Sequence, residues 1–125
     1  MIGPPDPVSN LRPIKFVVRE NETDLEKQLR LKREELQAWN HEFWTKHNTD
    51  FFKLKEEFTT RELKKKQNNE QTVNADEMSV FYKKFLDENW KRHLNYNISW
   101  YRKNVSVTFL DFKVKFRRFL RYLGV

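Results

Sequence analysis

From Ile14 to Leu123 the chain contains neither glycine nor proline. Its prolines sit at positions 4, 5, 7 and 13 and its glycines at 3 and 124, so the residues that close tight turns and stop helices are confined to the two ends. A fold of many short strands needs turn residues every ~8–12 positions. An all-β architecture is therefore disfavoured and long helices are expected. With 125 residues there is room for one domain. A domain of this size has little apolar volume to spare for a deep active-site cavity. Aromatic residues make up 15% of a chain that is 34% charged, so its core is expected to be aromatic rather than aliphatic.

The pattern divides the chain into an arm, residues 1–22, and a helical domain, residues 23–125. Three prolines in the first seven residues, followed by Ser9-Asn10-Leu11-Arg12-Pro13, read as a stiff extended arm. Ile14 to Val18 continue it as a short strand-like stretch for which no partner strand is evident. Thr23-Asp24-Leu25-Glu26 has the spacing of a capping box and predicts a helix start. Leu25, Leu29, Leu36, Trp39 and Phe43 recur with helical spacing, and Phe51, Phe52, Leu54 and Phe58 keep the period. Unbroken to Lys65, this helix would be roughly 63 Å long, and Asn48-Thr49-Asp50 is where a kink is expected. Residues 65–74 lose the apolar period and form a polar loop. Asn74 with Glu77 predicts a second N-cap. The following helix carries Met78, Tyr82, Phe85, Asn89, His93, Tyr96 and Trp100 at steps of three and four, with Phe81, Leu86, Trp90, Leu94 and Tyr101 widening a stripe expected to be buried. From Val105 the sequence alternates as a strand does, yet Val105, Phe109, Phe112, Phe116, Phe119 and Leu123 also fit a helix, which is the reading adopted. The expected fold is all-α: the arm, then three long amphipathic helices, or four if the first one breaks.

The net charge of +7 is unevenly spread, because residues 101–125 hold seven basic side chains and one acidic one. Lys113, Lys115, Arg117, Arg118 and Arg121 are the candidates for contact with an anionic membrane or acidic partner, against the plainer reading of a solvated helix face. No apolar run approaches the ~18 residues needed to span a bilayer. Neither a secretory h-region nor an amphipathic presequence precedes Ile2. Without cysteine there is no thiol nucleophile and no thiolate metal site. His41-Glu42 and His47 depart from the H-E-x-x-H zinc motif, whose histidines must stand four apart to share a helix face. The adjacent pairs Glu34-Glu35 and Glu56-Glu57 do not converge on one site. With no Gly-rich loop and no nucleophile motif, neither catalytic nor metal-binding residues are assigned, no cofactor is expected, and an enzyme is improbable. His93, on the apolar stripe, is a weak haem candidate and more readily a hydrogen-bonded core histidine. Trp39, Trp44, Trp90 and Trp100 suit the core better than a stacking platform for single-stranded nucleic acid.

Several stretches are familiar together: Ile2-Gly3-Pro4-Pro5-Asp6 with Ser9-Asn10-Leu11-Arg12-Pro13, Trp39-Asn40-His41-Glu42-Phe43-Trp44, Asn74-Ala75-Asp76-Glu77-Met78, and Phe81-Tyr82-Lys83-Lys84-Phe85-Leu86. The chain resembles the cytochrome c oxidase assembly factor 8 family, also called apoptogenic protein 1, through Tyr96-Asn97 and Trp100-Tyr101 to Thr108-Phe109. The resemblance implies a mitochondrial protein imported by a cleaved presequence and placed on the matrix side of the inner membrane. It implies a non-enzymatic role in assembling or protecting respiratory complex IV, with links to oxidative stress and apoptosis, and an assembly intermediate or subunit as partner. Carried onto this sequence, the arm residues Pro4, Pro5, Asp6, Ser9, Asn10 and Arg12 are the candidate partner contacts, against packing on the domain's own helices. Two other readings stay open: a basic RNA-binding module and a haem-handling protein.

Overall fold

The computed structural model describes residues 1–66 and 72–124. Two helices form among them, α1 from Asp24–Lys65 and α2 from Ala75–Tyr122. They pack antiparallel as one long hairpin, in continuous register from the ion pair of Glu26 with Arg118 to that of Lys66 with Glu77. At 1.5 Å per residue they are about 63 and about 72 Å long. Of the expected loop at 65–74, residues 67–71 lie outside the described residues.

The expectation of three or four helices is corrected to two, and the side chains at the expected breaks give the reason. Asn48, Asp50 and their neighbour His47 are engaged away from the α1 backbone. Asn48 Nδ2 donates to the Val8 carbonyl, Asp50 pairs with Arg92 at 3.2 Å, and the His47 ring is buried against α2. Polar side chains unwind a helix when they compete for its own peptide groups, and here they do not compete. Near residue 104 the polar side chains share carbonyls one turn back, Asn104 Nδ2 with Trp100 and Thr108 Oγ1 with Asn104, a local back-bonding that a helix accommodates, and α2 runs on through this stretch.

Both predicted caps form by half. Thr23 Oγ1 accepts from the Glu26 amide and Asn74 Oδ1 from the Glu77 amide. The two glutamates do not reach back. Glu26 turns to Arg118 and Arg121, each at 3.4 Å, and Glu77 turns to Lys66 at 2.9 Å. The helix starts thus double as inter-helix fasteners.

The core is a file of rings along the middle of the hairpin. Tyr96 stacks on Phe43 at 4.1 Å and on Trp39 at 5.1 Å between centroids. Its hydroxyl accepts from Trp44 Nε1 at 2.9 Å and donates to Asn40 Oδ1. Phe85 lies against Phe51 and His47, and Phe81 stacks on Phe58. Toward the open end an aliphatic cluster of Leu29, Leu110 and Val114 takes over, packed against Leu25 and Val107.

The arm is not simply extended. It doubles back, with the Gly3 amide donating to the Pro13 carbonyl and the Lys15 amide to the Met1 carbonyl, so that Ile2 and Ile14 form an isolated antiparallel bridge. The partner missing for the Ile14 stretch is thus the start of the arm itself. The turn is made by Asp6, whose Oδ1 accepts from the Val8 and Ser9 amides, and by Asn10 in the left-handed region at φ 63°. Gly3 is required by close approach, since a Cβ there would stand 2.9 Å from the Pro13 ring.

Two α1 side chains hold the arm down. Gln37 accepts from the Ile14 amide and donates to the Ile14 carbonyl, while Asn48 holds Val8. Replacing Gln37 by alanine is expected to cost about 1 kcal/mol and to free the arm ahead of the helices. Hydrogen exchange checks this: the Gly3 and Lys15 amides should exchange faster in Gln37→Ala, with the α1 and α2 amides unchanged.

Candidate interaction surfaces

The arm residues fall into two groups. Asp6 and Ser9 are consumed by the turn. Ser9 is buried and its Oγ accepts from the Leu11 amide, and the hydrogen bonds from the Ser9 and Val8 amides hold the Asp6 carboxyl below the usual carboxylate range. Pro4, Pro5, Asn10 and Arg12 stay exposed. Between arm and hairpin lies an open groove of about 740 Å³, bordered by Arg12, Phe16, Arg33, His41, Trp100 and Asn104. The structure therefore places both Asp6 and Arg12 on the groove, while Asp6 and Ser9 also shape the arm.

The basic end of α2 is divided as well. Arg118 and Arg121 face α1 and share Glu26. Burial raises the pKa of that carboxyl, but the hydrogen bonds and charges of Arg118 and then Arg121 outweigh it and hold the group below its ordinary value. Lys115 pairs with Asp111 at 3.0 Å, and Asp111 also meets Arg33 at 3.2 Å. Lys113 and Arg117 are exposed.

His93 stands inside the ring file, edge-on to Phe43 and Trp44, with its centroid 4.5 Å from that of His47. His93 Nε2 and His47 Nδ1 are buried without a hydrogen-bond partner. Among the described residues no group of three or more His, Cys, Asp or Glu converges on a metal position.

Burial, the nearby His93 and the Arg92 charge all push the His47 pKa down, against a smaller opposing pull from Asp50. A folded-state pKa below the unfolded value near 6.5 means that the unfolded chain binds the proton more readily. The stabilisation is therefore complete above about pH 6.5 and is lost as the pH falls from there toward the folded-state pKa. Urea midpoints at pH 7.5 and 5.5 check this. The acid-side drop in the wild type should shrink in His47→Phe, and an equal drop in both would overturn the assignment.

The largest departure from expectation is on the outer side of α2. Leu86, Trp90, Leu94 and Tyr101, expected to widen a buried stripe, are 47–65% exposed, and Trp100 is 37% exposed. The stripe of Val105, Phe109, Phe112, Phe116, Phe119 and Leu123 is exposed throughout, while Val107, Leu110 and Val114 face α1. Trp39 and Trp44 belong to the core, but Trp90 and Trp100 do not. Residues two apart on a helix are ~200° apart. A helix that is apolar on two opposite faces therefore alternates like a strand, which accounts for the ambiguity after Val105. Sequence reasoning also missed Gln37 and Asn48 as anchors of the arm, since neither sits in a motif.

No helix among the described residues is long and apolar enough to cross a membrane. The chain matches the family model for cytochrome c oxidase assembly factor 8 over residues 1–120. It is 47% identical over 124 residues to the Bos taurus cytochrome c oxidase assembly factor 8 and 46% identical over 124 residues to the Homo sapiens one. Each match takes in 94% of this chain, which spans 65% and 60% of the length of those two relatives. A Drosophila melanogaster protein named as a mitochondrial member of the same family is 50% identical over 119 residues, covering 95% of this chain and 66% of the relative. No solved structure matches. With the family model matched across both helices and the arm, the chain belongs to the cytochrome c oxidase assembly factor 8 family.

Proposed function

We propose that this protein is a non-enzymatic mitochondrial factor that promotes assembly or stability of cytochrome c oxidase from the matrix side of the inner membrane. The support that carries the reading is the family match across residues 1–120, from the arm into the basic end of α2. The geometry agrees with a binding role: a long two-helix hairpin with large apolar residues turned outward. Pro4, Pro5, Asn10 and Arg12 on the arm are the first contact set for an assembly intermediate, with Asp6 and Ser9 holding them in shape. Lys113, Lys115 and Arg117, with the ion-paired Arg118 and Arg121 behind them, give the open end a positive field that favours residence at an anionic membrane.

The test is complex IV relative to complex III on native gels, in cells lacking the protein and re-expressing it behind a mitochondrial presequence. The expected result is selective loss of complex IV, restored by wild type and poorly by Arg12→Glu. Equal loss of every mitochondrially encoded complex would instead favour the RNA-binding reading, and no loss would overturn the assignment.

A further inference from the structure

We propose that the outward stripe of α2 between Leu94 and Leu123 is a docking seam for an amphipathic helix of a protein partner, one whose apolar edge is flanked by aspartate or glutamate. The inference deepens the assembly-factor reading and rests on it for the existence of a protein partner.

The first observation is the shape of the stripe. Tyr101, Val105, Phe109, Phe112, Phe116 and Phe119 step by four, four, three, four and three, and each is 49–65% exposed. At 100° per residue they fall within a sector about 80° wide, roughly 170° from the sector through which α2 packs on α1. A one-residue-wide seam repeating every three or four positions is the pattern with which one helix receives the knobs of another. It runs about 44 Å from Leu94 to Leu123. Nothing in the described chain covers it, because the arm lies over the groove beside Leu36, Trp100 and Asn104 instead.

The second observation is charge. Arg102 and Lys113 border the seam on one side and Lys115 on the other. The single acidic residue of this region, Asp111, is already paired with Arg33 and Lys115. An apolar seam with basic borders selects a helix with acidic ones, as oppositely charged borders select partners in coiled coils. The same borders argue against a second copy of this chain. An antiparallel pair sets each border against the same border of the other copy, so that Arg102 meets Lys113 when the pair is centred near Val107, and a parallel pair sets Lys113 of one copy against Lys115 of the other. A bilayer would also attract the borders, but an interfacial helix sinks its apolar face about 5–10 Å into the lipid. Here the apolar sector is only about 80° wide, narrower than the ~100° stripe of an ordinary amphipathic helix and matching the seam of a coiled coil.

The experiment uses the whole chain and two fluorescent 28-residue helical peptides with leucine at the a and d heptad positions. One carries glutamate at e and g, the other lysine, and each is used at concentrations where it sediments as a monomer. Anisotropy titration should show at least tenfold tighter binding of the glutamate peptide. That binding should weaken at least tenfold in Phe112→Ser/Phe116→Ser, and the preference should fall or reverse in Arg102→Glu/Lys113→Glu. Equal binding of both peptides, or none of either, would overturn the inference. So would a dimer of the chain alone that Phe112→Ser/Phe116→Ser dissolves, since the seam would then be covered by a second copy. Flotation with cardiolipin-containing vesicles that depends on Phe112 and Phe116 would assign the seam to lipid and likewise overturn it. The double Phe variant, which should keep the wild-type thermal midpoint, separates this inference from the assembly reading. Full rescue of complex IV by that variant would remove the seam from the function while leaving the assignment standing, whereas failure of wild type to rescue would remove the assignment itself.

Discussion

Tyr96→Ala is expected to lower the unfolding free energy by about 3–5 kcal/mol, the range for removing a large aromatic side chain from a packed core. Tyr96 packs its ring against three aromatic residues of α1, Trp39, Phe43 and Trp44. It is 9% exposed, its ring is sandwiched by Phe43 and Trp39, and its hydroxyl is bonded to Trp44 Nε1 and Asn40 Oδ1 at once. Alanine removes the ring contacts and leaves two polar groups of α1 unanswered. Tyr96→Phe isolates the second effect, since the ring stays while the Trp44 N–H and the Asn40 carbonyl lose their partner, and the expected cost is about 1–3 kcal/mol. Urea unfolding of both variants measures the difference. If Phe and Ala cost the same, the stacking contributes nothing and the ring file is not the core. If Tyr96→Phe costs nothing, the hydroxyl bonds are replaced by water.

How much of this was legible in the sequence depends on whether the signal was local. Both helix starts are local, because Thr23 and Asn74 cap their own first turns. The facing residues Leu29, Phe43, Phe85 and Tyr96 follow from spacing alone. The helix count is not local, because Asn48 and Asp50 look like breakers until Val8 and Arg92 arrive from elsewhere in the chain to occupy them. The prolines mark the first residues as non-helical, but their folding back depends on Gly3 meeting Pro13 and on Gln37 clamping Ile14. A second role of two candidate contact residues is hidden for a related reason: Asp6 and Ser9 also close the turn of the arm, through bonds from the Val8, Ser9 and Leu11 amides. Periodicity also cannot say which of two apolar faces is inside: it put Leu86, Trp90, Leu94 and Tyr101 in a buried stripe, and they are exposed.

That last ambiguity leads to a contrast between two phenylalanines on one helix. Phe85 is 5% exposed and packs on His47 and Phe51, whereas Phe112 is 65% exposed and touches Phe116. Phe85→Ala is therefore expected to cost about 3–5 kcal/mol, and Phe112→Ala to stay within about 0.5 kcal/mol of wild type. Calorimetry or urea unfolding at one protein concentration decides it, and a second run at tenfold dilution tests whether association contributes to the result. The expected outcome is a large drop for Phe85→Ala and none for Phe112→Ala at either concentration. A large, dilution-independent loss in Phe112→Ala would mean that the chain covers its own outer stripe, and the seam would be core after all. With the expected contrast, the aromatic residues divide by role: the inner rings hold the hairpin together, and the outer rings are retained at a cost in solubility that folding does not require. Exposed rings of that kind, on a helix already stabilised from its other side, are explained by what they bind.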